Sequence, residues 1–156
     1  MKLIATTQPN LEQKAFILAL WNQEYPRSLA YEDLQGLENY LAGLQDARHL
    51  FLEIYGERIG WYLDFIRDGE KWFAMILKGS HHGQGFGRRI LEHVKAEKET
   101  LNGWVVDKEG MEKEDGTMYI SPLGFYRKNG FQVLENERLE IPVLSAVKIR
   151  WSAEME

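Results

Sequence analysis

Three glycines alternate with other residues where a predicted strand meets a predicted helix. They are Gly83, Gly85 and Gly87, within the sequence HGQGFGR of residues 82–88. Positions without side chains let the backbone curl so that successive N–H groups point at one spot. The start of the helix adds its own free N–H donors and a partial positive charge. The pattern therefore predicts a phosphate-binding loop, the alternative being a tight corner that only turns the chain.

The spacing of these glycines does not match the two common nucleotide-binding loops. The nucleoside-triphosphatase loop needs a glycine five residues after its first one, but Gln84 stands five residues after Gly79. The dinucleotide loop needs a glycine three residues after its second one, but Arg88 stands three residues after Gly85. The preceding strand also belongs to a predicted antiparallel meander, which a dinucleotide-binding fold does not supply. The loop is therefore of another type.

Two segments resemble motifs of the GNAT superfamily of N-acetyltransferases. Residues 82–87 are similar to motif A, written Arg/Gln-x-x-Gly-x-Gly/Ala, except that His82 stands at its first position. Residues 123–131, LGFYRKNGF, are similar to motif B, commonly Phe/Leu-Tyr-x-x-x-Gly-Phe on a short helix that leads into a strand. The motifs occur in the family's order and the predicted elements agree with its fold, so the resemblance extends over nearly the whole chain.

The resemblance implies that the chain binds acetyl-CoA as co-substrate and transfers its acetyl group directly to an amine. The main chain at Leu77 would pair with the pantetheine arm, and Ser121 would contact the cofactor. Backbone N–H groups from Gln84 to Arg88 would bind the pyrophosphate, with Arg88 adding charge at the helix start. The residues expected around the cofactor loop form one run: His82, Gly83, Gln84, Gly85, Phe86, Gly87 and Arg88.

Tyr126 occupies the tyrosine of motif B, which the resemblance assigns as the general acid that protonates the departing CoA thiolate. A phenol with an ordinary pKa of about 10 can supply that proton. For the general base, the first candidate is Asp107, which ends a predicted strand beside the cofactor site, and Glu53 and Asp64 are alternatives. An ordinary solvated or hydrogen-bonded strand residue is the competing interpretation for each of these carboxylates.

The elements that must position these residues follow from residue spacing. A strand at residues 2–6 precedes a helix that Asn10 caps, with Gln13 three residues on, and that ends near Glu24. A second helix carries leucines at positions 34, 37, 41 and 44, which form one apolar stripe. Three strands then form an antiparallel meander at residues 50–55, 59–67 and 72–77, and Asp68-Gly69 makes the second turn.

After the glycine loop, a helix, a strand, a short helix and two strands complete the order. Their predicted ranges are 88–99, 104–106, 122–128, 131–141 and 143–151, with a charged loop at 108–117. We expect one α/β domain over residues 1–156, with a mixed, mostly antiparallel central sheet flanked by helices.

Composition limits the remaining classes of function. The chain has 19 basic and 24 acidic residues and no cysteine, which excludes a disulfide framework, a thiolate nucleophile and a cysteine-ligated metal. A net charge of −5 without a basic face indicates neither a nucleic-acid nor a membrane partner. Adjacent His81 and His82 lack metal-ligand spacing, so no metal site is predicted. No signal sequence or long apolar run is present, and we expect a cytoplasmic protein.

The leading functional hypothesis is an acetyl-CoA-dependent N-acetyltransferase for a primary amine of a small molecule or a protein. The alternative is a non-catalytic acyl-CoA-binding sensor or scaffold of the same fold, favoured by the substituted His82 but not by the retained Tyr126. A toxin that acetylates aminoacyl-tRNA is disfavoured by the net charge. The apolar run Ile141-Pro-Val-Leu and Trp151 suggest a homodimer through the carboxy-terminal strands, unless these residues cover the domain's own core.

Overall fold

A seven-stranded mixed sheet organises the chain. The computed structural model describes residues 1–155, in which the strands are β1 (Lys2–Thr6), β2 (Gln45–Ile54), β3 (Glu57–Arg67), β4 (Glu70–Leu77), β5 (Thr100–Val106), β6 (Gln132–Ile141) and β7 (Leu144–Ser152). Their spatial order is β1-β2-β3-β4-β5-β7-β6. All neighbours pair antiparallel except β4 and β5, which are parallel. The predicted mixed, mostly antiparallel sheet is confirmed.

Four α-helices flank the sheet: α1 (Leu11–Glu24), α2 (Leu34–Ala42), α3 (Phe86–Lys95) and α4 (Leu123–Lys128). The predicted cap of α1 is present, because Asn10 Oδ1 accepts from the Gln13 N–H at 2.8 Å. Gln13 Oε1 in turn accepts from the Asn10 N–H at 2.9 Å. The order of strands and helices agrees with the sequence-based prediction. Within residues 1–155, no helix has both the length and the apolar character needed to cross a membrane.

Two strands begin four or five residues earlier than their local sequence predicts. β2 begins at Gln45 rather than Leu50, and its polar first half pairs with β3, where Arg48 Nη2 donates to Asp64 Oδ2 at 3.2 Å. β5 begins at Thr100 rather than at residue 104, since its pairing with β7 starts there. In both cases the neighbouring strand, and not the local residue preference, extends the element.

Strand side chains alternate between two layers of core. We call the α3 face the layer in which α3 and α4 pack on the sheet, with Phe73 and Tyr62 among its buried side chains. We call the α1 face the opposite layer, in which α1 and α2 cover Trp61 and Trp72. Consecutive residues Trp72 and Phe73 therefore lie on opposite sides of β4, as strand geometry requires.

The sheet opens between β4 and β5. These two strands pair at a single position, Trp72 with Asn102, where Asn102 Nδ2 also donates to the Lys71 carbonyl at 3.0 Å. Beyond this point β4 remains paired with β3 as far as Leu77, and β5 remains paired with β7 as far as Val106. The segments 73–77 and 103–106 therefore diverge. This opening, which we call the split, leaves one edge of β4 without a neighbouring strand.

Candidate active site

A cleft of about 1600 Å³ follows the split and reaches both faces of the sheet. On the α3 face it is bordered by Phe73, Leu77, the glycine loop and Tyr126. On the α1 face it is bordered mainly by aromatic side chains from α1, α2 and the diverging strands. A molecule bound in the split would thus be accessible to a second molecule from the opposite side of the sheet.

The glycine loop lies at one end of this cleft and leads directly into α3. Gly83 and Gly85 have φ angles of +75° and +83°, which L-amino acids with side chains adopt only at a cost. Gly85 is the N-cap of α3 and supplies no side-chain cap. The first N–H groups of α3 therefore point out of the helix without a capping acceptor, which is the geometry of an anion site.

Gly87 has a different role, because it allows α3 and α4 to approach each other. A Cβ atom at this position would lie 2.9 Å from Phe125 Cζ and 3.3 Å from Leu77 Cδ1. The missing side chain thus permits the start of α3 to pack directly against α4. This packing fixes the distance between the loop and Tyr126, which lies on α4.

The polar side chains of the loop have local partners. His82 Nε2 donates to the carbonyl of Leu77 at 2.8 Å and so ties the loop to the end of β4. Gln84 Nε2 donates to the Ser80 carbonyl at 3.4 Å. Arg88 pairs with Glu92 one turn along α3 (Nε to Oε1, 3.0 Å), but its side chain remains 71% exposed and borders the cleft. His82 thus shapes the loop, while Arg88 keeps its charge available.

Tyr126 is buried on α4 and borders the cleft on the α3 face. Its ring contacts Phe73, Phe125 and Phe131, with centroid separations of 5.7, 5.1 and 5.3 Å. Burial raises the pKa of Tyr126 above its ordinary value, because the apolar surroundings disfavour the phenolate. The hydroxyl therefore carries its proton at neutral pH. Ser121 also borders the cleft, and its Oγ accepts from the Leu123 N–H at 3.3 Å.

The three carboxylates considered as general bases do not border the cleft. Asp107 accepts two hydrogen bonds of 2.9 Å from Arg138, which lower the pKa of its carboxyl. Asp64 is fully buried and accepts from the Tyr62 hydroxyl at 2.9 Å. Glu53 lies on β2, opposite Arg58. The structure does not bring these three residues together with Tyr126.

Glu24, the last residue of α1, was not identified from the sequence. Its side chain borders the cleft although the residue is only 8% exposed. Glu24 Oε2 accepts from the Gly79 N–H at 2.9 Å, and Lys113 Nζ lies 3.3 Å from Oε1. Among the described residues that border the cleft, the only other carboxylate is Glu92, which pairs with Arg88. One sequence signal exists, because an acid at the carboxyl end of a helix opposes the helix dipole.

Most residues of the loop at 107–122 are exposed, and the loop is attached to the segment after α1. The Arg27 N–H donates to the Glu112 carbonyl at 2.8 Å, and the two side chains form an ion pair. Tyr119, near the end of this loop, borders the cleft. Burial raises the pKa of Tyr119 to about 12. The loop thus contributes a wall to the cleft close to Tyr25, whose pKa is raised by burial and then by the neighbouring Tyr119 and Tyr126.

A family model described as "Acetyltransferase (GNAT) domain" matches residues 45–133, more than half of the chain. The chain belongs to the GNAT acetyltransferase family. The match includes β2 to α4 and therefore both the glycine loop and Tyr126. No curated protein matches the sequence.

Solved structures agree with this GNAT fold along nearly the whole chain. An aminoglycoside 6'-N-acetyltransferase complexed with coenzyme A is 11% identical, covers 97% of each chain and has a TM-score of 0.70. A ribosomal-protein-alanine N-acetyltransferase from Brucella melitensis is 13% identical over 97% of this chain and 99% of that one, with a TM-score of 0.65. An acyl-CoA N-acyltransferase from Pseudomonas aeruginosa has the same identity and coverage and a TM-score of 0.62.

In this GNAT domain, most of the residues singled out from the sequence surround one cleft. Leu77, Ser121, Tyr126 and the glycine loop border it together. Asp107 directly follows Val106, the last residue of β5, and does not border the cleft. Within residues 1–155, no group of three or more histidine, aspartate and glutamate side chains is arranged to hold a metal ion.

Proposed function

We propose that the protein is an acetyl-CoA-dependent N-acetyltransferase that transfers the acetyl group to a primary amine by direct attack. The observation that supports this proposal is the course of the cleft. It leads from the uncapped start of α3, along the unpaired edge of β4 and past Tyr126, to the opposite face of the sheet. One molecule with a phosphate end and an extended arm fits the first part, and a second molecule can approach from the other side.

The chain offers a separate site for each part of acetyl-CoA. The N–H groups of Gln84 to Arg88 would bind the pyrophosphate, with the Arg88 guanidinium adding charge. The pantetheine arm would lie in the split and hydrogen bond to the main chain near Leu77, as an added strand does at a free sheet edge. Ser121 would contact the arm from the opposite wall. His82 and Gly83 would keep the loop in its binding shape.

Two side chains would move the protons of the reaction. An ammonium must lose a proton before its nitrogen can attack, and Glu24 would accept that proton directly or through water. The new C–N bond forms as the C–S bond breaks, and the Tyr126 hydroxyl would protonate the departing thiolate. The net products are the acetamide, CoA and one proton released to solvent. The geometry favours Glu24 over Asp107 as the base because Asp107 is held by Arg138 outside the cleft lining.

Release of free CoA thiol from acetyl-CoA, followed with a panel of amines, tests the activity. Titration calorimetry with CoA tests binding separately. Arg88→Ala should weaken CoA binding by about 10- to 100-fold, since a charge-assisted hydrogen bond contributes about 1.5–3 kcal/mol. Arg89→Ala is the matched control, because Arg89 is on the same helix but does not border the cleft.

A non-catalytic acyl-CoA-binding module is the second candidate. The ion pair between Glu24 and Lys113 favours it, because the Lys113 ammonium competes with an amine for this carboxylate. Tight CoA binding without thiol release for any amine in the panel would support the module and overturn the enzyme. A location in the cytoplasm, where CoA thioesters are available, is part of the proposal for the enzyme.

We also propose a homodimer that joins two copies through the turn between β6 and β7. Ile141 and Val143 at this turn are 46% and 45% exposed, and β6 is an edge strand. Trp151, in contrast, is buried in the core and does not belong to this surface. Light scattering at micromolar concentration should give about twice the chain mass of 18.2 kDa. A species of the single chain mass would refute the dimer.

A further inference from the structure

The part of the cleft on the α1 face is lined by a cluster of aromatic rings that the proposed chemistry does not use. We call it the aromatic pocket, and its members come from α1 and its C-cap residue, α2 and strands β3 to β5: Trp21, Tyr25, Tyr40, Phe65, Trp72 and Trp104. All six belong to the core layer of the α1 face and also border the cleft. Phe65 and Trp72 are buried, whereas the other four are only partly buried and present ring surface to a molecule that approaches the split from this side.

The rings of the aromatic pocket are held in fixed positions. Trp21 contacts Tyr25 and Tyr40, with centroid separations of 4.7 and 5.8 Å. The Trp21 Nε1–H donates to the Leu29 carbonyl at 2.9 Å, which sets the orientation of the indole. Trp72 and Trp104 come from the two diverging strands, and their centroids are 5.3 Å apart. Because such rings lose little freedom on binding, they form a rigid surface for a flat apolar group.

The charges of the cleft are unsuited to a molecule with several positive charges. Glu24 is the one described carboxylate that borders the cleft without belonging to α3. Arg67 also borders the cleft, and its guanidinium lies 4.9 Å from the Phe65 ring centroid and 5.7 Å from that of Trp72. Each ammonium taken out of water needs a carboxylate partner, and the Arg67 guanidinium would repel an ammonium that lay at its end of the cleft. Lys113 Nζ already lies 3.3 Å from Glu24 Oε1, so this carboxylate can accommodate at most one further ammonium.

We infer that the acceptor is a primary amine with a single positive charge and an aromatic body, an arylalkylamine in chemical class. Its ring would occupy the aromatic pocket, and its ammonium would reach Glu24 at the edge of the split. This inference rests on the proposed acetyltransferase function for the transfer step, but the choice of ligand rests on the pocket alone. Polycations such as aminoglycosides and polyamines are excluded by the same arrangement of charges.

The rate of CoA thiol release, measured with different amines, distinguishes arylalkylamine acceptors from simple alkylamines and from polycations. Tryptamine and 2-phenylethylamine should give kcat/KM values at least 10-fold above those of ethylamine, which has the ammonium without a ring. Kanamycin and spermidine should fall below ethylamine. Kanamycin or spermidine as the best acceptor would overturn the inference while leaving the acetyltransferase function in place. Absence of turnover with every amine would instead refute the proposed function.

Binding measurements test the pocket even if no turnover occurs. Calorimetry with the full chain and saturating CoA should show tryptamine binding at least 10-fold more tightly than kanamycin, and the reverse order would overturn the inference. Trp104→Leu and Tyr40→Leu should each raise the KM or Kd for tryptamine about 10-fold and leave the values for ethylamine within threefold. Tyr31→Leu is the matched control, because Tyr31 contacts Trp21 and Tyr40 but does not border the cleft. An equal effect of Tyr31→Leu on tryptamine would mean that the cluster acts only through packing.

Discussion

At the scale of single residues, Tyr126 and Glu24 occupy opposite kinds of environment. The ring of Tyr126 packs against three apolar rings, those of Phe73, Phe125 and Phe131. Its hydroxyl therefore lies in apolar surroundings. Glu24 instead accepts from a backbone N–H and lies near the Lys113 ammonium. The first environment keeps a proton on the phenol, which the proposed general acid needs. The second holds the carboxylate between α1, the glycine loop and the 107–122 loop.

The substitution Tyr126→Phe tests the proposed role of Tyr126 as the general acid. It removes one hydroxyl and keeps the ring in its packing, so the fold should be preserved. We expect kcat to fall by about 10²–10⁴-fold, the usual contribution of general acid catalysis. The Kd for acetyl-CoA should change less than about threefold, because one neutral hydrogen bond contributes only about 1 kcal/mol. Tyr119→Phe is the control, and near-full turnover by Tyr126→Phe while chemistry limits the rate would remove Tyr126 from the mechanism.

The substitution Glu24→Gln tests the proposed role of Glu24 as the general base. The amide oxygen can still accept from the Gly79 N–H, so the contact between α1 and the glycine loop should survive. We expect kcat/KM to fall by about 10²-fold or more, with CoA affinity unchanged in calorimetry. Glu112→Gln breaks another ion pair of the 107–122 loop, the one with Arg27, and should keep most of the activity. Equal losses in both variants would show that the loop contact matters and that the Glu24 carboxylate does not.

At the scale of elements, β2 and β3 contain a buried hydrogen-bonded pair, in which one member, His49, is titratable. The Trp61 Nε1–H donates to His49 Nδ1 at 3.0 Å, and His49 is buried. Burial lowers the pKa of His49 to about 4, with a smaller opposing effect from Asp64. The folded chain therefore holds a neutral imidazole where the unfolded chain would be protonated at mildly acidic pH.

Stability should therefore decrease as the pH falls from about 6.5 to about 4. In this pH window His49 binds a proton in the unfolded state but not in the folded state. The resulting loss in the free energy of unfolding is on the order of 3 kcal/mol. Urea unfolding at several pH values measures it. In His49→Asn, whose side-chain oxygen can replace Nδ1 as acceptor, this part of the pH dependence should be absent. The control variant His93→Asn, which changes an exposed histidine, should retain this pH dependence. If stability depends on pH in His49→Asn as it does in the unaltered protein, His49 is not its cause.

At the scale of the whole molecule, the elements could be predicted from the sequence because local residues determine them. The Asn10 cap needs only Gln13, and the turn at Asp68-Gly69 needs only the positive φ angles that both residues adopt. Glu24 could not be recognised in this way. Its partners Gly79 and Lys113 are 55 and 89 residues away along the chain.

The residues of the site fall into two groups that differ in the same way. The glycine loop and Tyr126 lie in contiguous motifs, so their types and spacing indicate their place in the site. The aromatic pocket combines side chains from two helices and three strands at irregular spacing, for example Trp21, Phe65 and Trp104. Each of these rings resembles an ordinary core residue in the sequence. Only the divergence of β4 from β5 turns them into the lining of a cleft.

The split also has a consequence for the rate law. Because the cleft opens on both faces of the sheet, the two proposed substrates would have separate entrances, and neither would have to leave before the other binds. Both would then be present when the acetyl group moves, and the chain has no cysteine to carry that group in between. Double-reciprocal plots of initial rate against one substrate, at several concentrations of the other, should therefore give lines that intersect. Parallel lines would mean that an acetylated form of the protein exists and that the two entrances are not used together.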